Sequence, residues 1–379
     1  YRYERLFFIV IKRPRTLTMS TETTPSTAVE EIEYKPELAP KKHSISILIP
    51  CWNEEKTIER CVQSCLNQST PADEVIVVDD SSADSSPAIL ARFGNRIRVV
   101  RTPKNSGNKS HAQEYGLSFV KGDIVVTTDA DTEMHPQFVE TILKDFQDPT
   151  VAASGGYVVS RAHNWLTLCR AFEYCIGQNI HKPAQRYINY MFVIPGAAGA
   201  FRTEVFKTYV KFDHDTITED LDFTYKLHKQ GLTVEYNKKA IVYTQDPASL
   251  HSYINQMRRW YGGGWQCLMK HKDIAMQPAK ALELSLMYIE GLVFALLVFI
   301  LPIINFQALG YFILTYLLTT SVFATYAAIR ERRWALLIVP IPYLPIVFIN
   351  AYVFVEQFIK EVILRRKHLV WFKPERVNL

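Results

Sequence analysis

The chain is 379 residues long, enough for one α/β domain of ~200–250 residues and a smaller second unit. Its net charge of +5 is held by residues 330–379, where nine Lys or Arg face four Glu, so the basic excess reads as a cytoplasmic membrane flank rather than a nucleic-acid footprint. The six cysteines, at 51, 61, 65, 169, 175 and 267, have no C-x-x-C or Cys/His spacing suited to zinc and fit reduced thiols in a cytosolic domain.

Residues 1–43 read as a disordered or peripheral lead-in. The apolar patch Leu6–Ile11 is too short for the core of a signal peptide and runs into Lys12, Arg13 and Arg15. Met19 is a plausible start, and residues 20–42 are rich in Ser, Thr, Glu, Pro and Lys.

From Ile45 the chain alternates short β-branched runs with amphipathic stretches, the pattern of a parallel sheet wrapped by helices. Strands are expected at Ile45–Ile49, Glu74–Asp79, Arg96–Arg101 and Asp123–Thr128, with helices over Glu54–Asn67 and after Asn108. That is a doubly wound half-domain, whose ligands bind beyond the carboxyl ends of the strands. Those ends carry Trp52, Asn53 and Glu54, then Asp79 and Asp80, then Asp129 and Asp131. No G-x-G-x-x-G follows the first strand, which removes the main phosphate-binding device of a dinucleotide-dependent dehydrogenase.

Three constellations carry chemistry. Asp129-Ala130-Asp131 puts two carboxylates one residue apart at a strand end, hard ligands for Mg²⁺ or Mn²⁺, although Asp131-Thr132-Glu133 could equally open a helix. Thr218-Glu219-Asp220-Leu221-Asp222 reads both as a capped acidic helix start and as a mount for Asp220 as a general base. Gln256, Arg259 and Trp260 lie at i, i+3 and i+4 of an amphipathic segment, 249–280, placing an amide, a guanidinium and a flat ring on one face; the same segment could serve as an interfacial anchor.

No Asp, Glu, Lys or Arg occurs from Gly291 to Ile329, an uncharged run of 39 residues. As a helix it would extend ~58 Å, about twice a ~30 Å hydrocarbon core, so it is expected to cross, turn at Pro302–Gln307 and return. A third apolar stretch, Trp334–Val355, is broken by Pro340, Pro342 and Pro345. The membrane region is thus 281–364, with two clear spans and a third, Pro-broken one, followed by a basic cytosolic tail at 365–379. Glu290, inside the first span, is expected to face protein or a polar path, or else to snorkel to the cytosolic boundary.

Together, Asp79-Asp80, Asp129-Ala130-Asp131, Thr218-Glu219-Asp220 and Gln256-Met257-Arg258-Arg259-Trp260, in this order and ahead of membrane spans, resemble the motifs of the processive members of glycosyltransferase family 2, among them chitin, cellulose, hyaluronan and poly-N-acetylglucosamine synthases. The resemblance covers about Ser44 to Lys270. It implies a GT-A type, Rossmann-like, mostly parallel sheet over residues 44–248 followed by C-terminal transmembrane helices. It further implies a UDP-sugar donor held by Trp52, Glu54, Asp79, Asp80, Lys109, Asp129 and Asp131, with Asp131 ligating Mg²⁺ or Mn²⁺. Asp220 would be the base, and Gly199, Glu219, Gln256, Arg259 and Trp260 would serve acceptor and diphosphate.

One base, a metal at the leaving diphosphate and no positioned carboxylate nucleophile point to a single displacement with inversion, giving β-linkages. A glycoside hydrolase would instead need two carboxyls flanking the bond. The expected enzyme is a multi-pass plasma-membrane transferase with a cytosolic catalytic domain, moving N-acetylglucosamine onto a growing polysaccharide; the alternative is single addition to a lipid-linked acceptor. Expected partners are the UDP-sugar, the acceptor, membrane lipids and, where a polymer channel demands it, a second copy in a homodimer, but no nucleic acid.

Overall fold

The computed structural model describes residues 43–274 and 278–366, with side chains left aside over 278–283. The expected disordered lead-in and most of the basic tail lie outside the described residues.

Four parallel strands, β1 (Ile45–Cys51), β2 (Glu74–Asp79), β3 (Arg98–Arg101) and β4 (Ile124–Thr127), are linked through helices α1 (Ile58–Leu66), α2 (Ser86–Ala91) and α3 (Lys109–Leu117). After β5 (Glu133–Met134) and α4 (Phe138–Ile142), the sheet continues with β6 (Val151–Ser160), β7 (Gly199–Arg202) and β8 (Thr233–Thr244). Its strand order is β3-β2-β1-β4-β7-β6-β8-β5, with β7 antiparallel to both β4 and β6. The expected doubly wound half is present, and the mixed half completes an eight-stranded, mostly parallel sheet.

Both faces of the sheet are covered, so alternate residues of one strand enter different cores. Ile47 and Ile49 pack with Val77, Val126 and Phe138 on one side, while Leu48 joins Ile76, Val78 and Val125 on the other. Each such side chain contributes roughly 1.5–3 kcal/mol by leaving water. This two-sided burial explains why the strands read as unbroken apolar runs.

Between β6 and β7 lie α5 (Trp165–Ile176), a π-helical turn at Gly177–His181 and α6 (Lys182–Tyr187); α7 (Glu219–Lys229) precedes β8. α8 (Leu250–Lys270) follows and is enclosed rather than interfacial over residues 262–267, all of them buried. The reason is a run of three glycines. Gly263 lies directly on the Thr218 side chain, where a Cβ would collide, and its neighbours Gly262 and Gly264 face Gln357 and the Tyr288 hydroxyl.

α9 (Pro278–Ile304) and α10 (Phe306–Arg330) meet at Asn305, whose side chain accepts from Gln307 N (3.0 Å) and Ala308 N (3.3 Å), capping α10 at the expected turn. Segments Leu284–Ile304 and Phe306–Arg330 are long and apolar enough to cross a membrane. The Pro-rich stretch forms a 3₁₀ turn at Trp334–Ile338 and one helix, α11 (Pro340–Phe358), with Pro345 inside it. α11 is tied to α8 by Arg258–Glu356 (2.8 Å) and by Tyr253 Oη donating to Asn350 Oδ1 (2.8 Å). Glu290 does not face protein: its side chain is exposed, because Leu284, Tyr288, Ala295 and Val298 form the inward stripe of α9. An exposed Glu290 is compatible with a polar path and with snorkelling alike.

Candidate active site

The carboxyl ends of β1, β2 and β4, the loop before β7, the start of α7 and the middle of α8 enclose one cavity of about 1080 Å³. Trp52, Glu54, Asp80, Lys109, Asp129 and Asp131 line it, as do Glu219, Asp220, Gln256, Arg259 and Trp260. Eleven sequence-predicted residues, drawn from segments up to 208 positions apart, thereby share one space.

Trp52 sits on a tight turn after β1. Asn53 adopts φ 54°, its N–H donates to Ser82 Oγ (2.9 Å) and its Oδ1 accepts from Ala83 N (2.8 Å), so the loop after β2 holds the turn. Glu54 is buried and accepts the Thr57 hydroxyl at 3.0 Å.

Lys109 begins α3. Asn108, which stands between Gly107 and Lys109, is the N-cap, accepting from Ser110 N at 3.1 Å. The Lys109 Nζ lies 2.5 Å from Asp129 Oδ1 and 3.4 Å from Glu219 Oε1. Burial works against its charge, but Asp129, Glu219 and Asp220 outweigh it and hold the Lys109 pKa above its ordinary value. Gly196 opens the space required: a Cβ there would fall 2.7 Å from Lys109 Nζ.

Asp220 lies in the first turn of α7, where the helix dipole favours carboxylates, and its Oδ1 accepts from Leu221 N at 2.9 Å. Burial at the cavity wall and then the charge of Glu219 push its pKa up to about 6, against the opposing pull of Lys109 and Arg259. A carboxylate so tuned can accept a proton near neutral pH. Asp222, two residues on, turns away to His271 (2.7 Å), Lys270 (2.9 Å) and Lys226 (3.2 Å) and anchors the helix start.

On α8, Gln256 is buried, and its Oε1 has no hydrogen-bond partner among the described residues although it borders the cavity. Trp260 is stacked by Arg170 of α5, whose guanidinium carbon is 4.7 Å from the ring centroid. Arg170 is itself ion-paired with Glu173 and, at 3.5 Å, with Asp246. On the opposite wall, Asp131 accepts the Thr132 hydroxyl at 3.0 Å and, with Asp129, offers hard oxygen ligands of the kind divalent cations take.

A family profile described as "Glycosyltransferase like family 2" matches residues 40–263, more than half of the chain. The chain belongs to glycosyltransferase family 2. Among its relatives is a poly-beta-1,6-N-acetyl-D-glucosamine synthase of Staphylococcus epidermidis, 26% identical over 230 residues, which cover 60% of this chain and 56% of that protein. A hyaluronan synthase of Streptococcus pyogenes is 28% identical over 263 residues, 64% of this chain and 62% of the relative. The chain thus aligns with little more than half the length of these two relatives. In fold it is similar to the mannosyltransferase PcManGT of Pyrobaculum calidifontis, solved with GDP-Man and Mn2+, with a TM-score of 0.59 and 21% identity over 82% of this chain and 90% of that one.

Two of the residues singled out from the family 2 motifs stand apart from the cavity. Asp79 is buried beneath the strand end, ion-paired with Arg101 at 2.5 Å and accepting from Ser82 N at 2.9 Å, because adjacent residues of a strand point to opposite sides. It supports the turn, whereas Asp80 borders the cavity and fixes the next loop through Thr102 Oγ1 (2.7 Å) and Ser106 Oγ (2.7 Å). Gly199 is buried in β7 with its carbonyl accepting from Thr127 Oγ1 at 3.4 Å, while Gly196 and Ala197, just before the strand, line the cavity. The sequence reading passed over Arg170 and Lys182, both in the wall; Lys182 Nζ donates to Val193 O at 2.6 Å. No motif marks either residue.

Proposed function

We propose that this family 2 protein is a membrane-bound inverting glycosyltransferase that moves a sugar from a nucleotide-diphosphate donor to an acceptor hydroxyl. The observation that carries the reading is the single cavity with Lys109, Asp129 and Asp131 on one side and Asp220, Gln256, Arg259 and Trp260 on the other. Trp52 would stack on the base, with Glu54 and Asp80 ordering the surrounding loops. Lys109 and Arg259 would meet the diphosphate oxygens, Arg259 through its guanidinium fork. Asp131 would hold Mg²⁺ or Mn²⁺, whose role is to offset charge on the departing diphosphate.

Asp220 accepts the proton of the attacking hydroxyl as the new C–O bond forms at the anomeric carbon. The bond to the diphosphate breaks on the opposite side, so configuration inverts. Gln256 supplies an unsatisfied amide oxygen for a hydroxyl, and Trp260, steadied by Arg170, offers an apolar face to the acceptor sugar.

Within this class we place the donor as UDP-N-acetylglucosamine and the product as a β-linked polysaccharide, the reading supported by similarity to the two synthases. The cavity also reaches Met287 and Tyr288 of α9 and Phe354 of α11, which favours a second reading, single addition to an acceptor presented from the membrane. In both readings α9 and α10 are embedded and the catalytic domain is cytosolic. Isolated membranes given a panel of radiolabelled nucleotide sugars, with product sizing, test these assignments. A UDP-N-acetylglucosamine-dependent polymer supports the first reading, one added sugar the second, and no transfer from any donor refutes both.

A further inference from the structure

Outside the cavity, His111, Glu114 and His214 each bring one donor atom into a cluster in which all three lie within 4.8 Å of one another. His111 and Glu114 stand at i and i+3, neighbouring positions on α3, and both are exposed. His214 comes from the segment between β7 and α7. Its φ of 57° is a conformation that residues other than glycine seldom adopt. The result is a ring laid against His111, with centroids 3.6 Å apart and planes 22° from parallel. Its Nε2 lies 2.9 Å from Glu114 Oε2 and its Nδ1 2.7 Å from Ser110 Oγ.

We propose that His111, Glu114 and His214 bind a transition-metal ion of the Zn²⁺, Co²⁺ or Ni²⁺ type, at a site separate from the donor cavity. Two imidazoles with one carboxylate suit these ions, whereas Mg²⁺ and Ca²⁺ take oxygen ligands. Tetrahedral coordination at ~2.0–2.1 Å places donors ~3.3 Å apart, and because an imidazole binds a metal in its ring plane, the exposed His111 ring must swing out of the stack to turn a nitrogen toward the ion. Ser110 Oγ supplies the partner that a ligating histidine needs. With the metal on Nε2, the ring proton resides on Nδ1 and is donated to the hydroxyl.

The site joins two elements that serve the cavity. α3 begins with Lys109, paired to Asp129 and Glu219, and the His214 segment leads within a few residues into Thr218, Glu219 and Asp220. A bound ion clamps these two elements and stiffens the mounts of Lys109 and Asp220.

The test uses the full chain in detergent, stripped with chelator and supplied with excess Mg²⁺ so that a carboxylate site in the cavity is filled. Zn²⁺ is titrated by calorimetry and Co²⁺ by its visible absorption. One equivalent of Zn²⁺, a tetrahedral Co²⁺ spectrum and a raised thermal midpoint are expected in the wild type and in Asp131→Ala. In His111→Ala and Glu114→Gln, which alter exposed side chains and leave the fold intact, affinity should fall more than about tenfold and the thermal shift should vanish. Absence of binding in the wild type, equal affinity in His111→Ala, or loss of binding in Asp131→Ala alone would each overturn the proposal.

Discussion

Lys109 and Asp129 are joined at 2.5 Å across the floor of the cavity, and the same ammonium lies 3.4 Å from Glu219. One cation therefore serves carboxylates from β4's end and from α7, and it lowers the pKa of the adjacent Asp220. Lys109→Met should raise that pKa. A base works in its ionised form, so activity rises with pH through about 6 in the wild type, and in the variant the acid limb of the kcat/KM profile should move to higher pH. An acid limb at the wild-type position would mean that another group governs it.

Asp220→Asn should cost roughly 10²–10⁴-fold in transfer while leaving donor affinity near normal, because the base acts as the hydroxyl attacks and not as the donor docks. Single-turnover transfer and equilibrium binding of the nucleotide sugar, measured side by side, separate the two. Transfer within a few-fold of wild type would remove Asp220 from this role.

Asp131→Ala should abolish cation-dependent donor binding, and EDTA applied to the wild type should do the same, since a diphosphate would then face Asp129 and Glu219 with only Lys109, already paired to both, and Arg259 to offset the charge. Binding of the donor in excess chelator, at unchanged affinity, contradicts the assignment.

Asp222→Asn should destabilise the fold by about 1.5–3 kcal/mol without a specific effect on donor affinity, because His271 loses a charged acceptor while Lys270 and Lys226 keep Asp213 and Asp215. Burial raises the pKa of Asp222, but bonds from His271 and Lys270 outweigh it and leave the carboxyl well below its usual range. A depressed carboxylate pKa contributes stability that is present above the unfolded-state value, ~3.9, and lost as pH falls toward the folded-state value. The gap between wild-type and variant thermal midpoints should accordingly narrow in acid.

Trp260→Ala should shorten products more than it slows the first addition if the protein elongates a polymer, because a terminal sugar held on an aromatic face is released sooner without it. Chain-length distributions at matched turnover are the readout. An unchanged distribution with lower yield would assign Trp260 to packing, and single-sugar products from both proteins would select the single-addition enzyme.

The first half of the sheet was legible because Ile45–Cys51, Glu74–Asp79 and Ile124–Thr127 are β-branched runs buried on both faces, each ending in conspicuous polar residues. The second half was not. Gly199–Arg202 reads as the end of a small-residue loop, and only its pairing with β4 and β6, far away in sequence, makes it a strand. Within Asp79-Asp80 the motif identifies the pair but not its orientation, which is set by Arg101 lying opposite Asp79 on β3. Arg170 is invisible for a similar reason: Asp246 and Trp260, which give it meaning, lie 76 and 90 positions downstream.

The glycine run of α8 has a mechanical meaning. Gly263 seats Thr218, the residue that precedes the acidic start of α7, and Gly264 seats Tyr288 of α9, so the proposed base Asp220 and the first apolar helix rest on adjacent rungs of one rigid beam. If α9 is embedded as proposed, the height of Asp220 above the lipid headgroups would be set by geometry rather than by a tether, and each acceptor would have to reach that fixed altitude to react. A longer or shorter α9 would move the lipid surface up or down relative to the chemistry, a change in the working distance of the enzyme rather than in its reactivity.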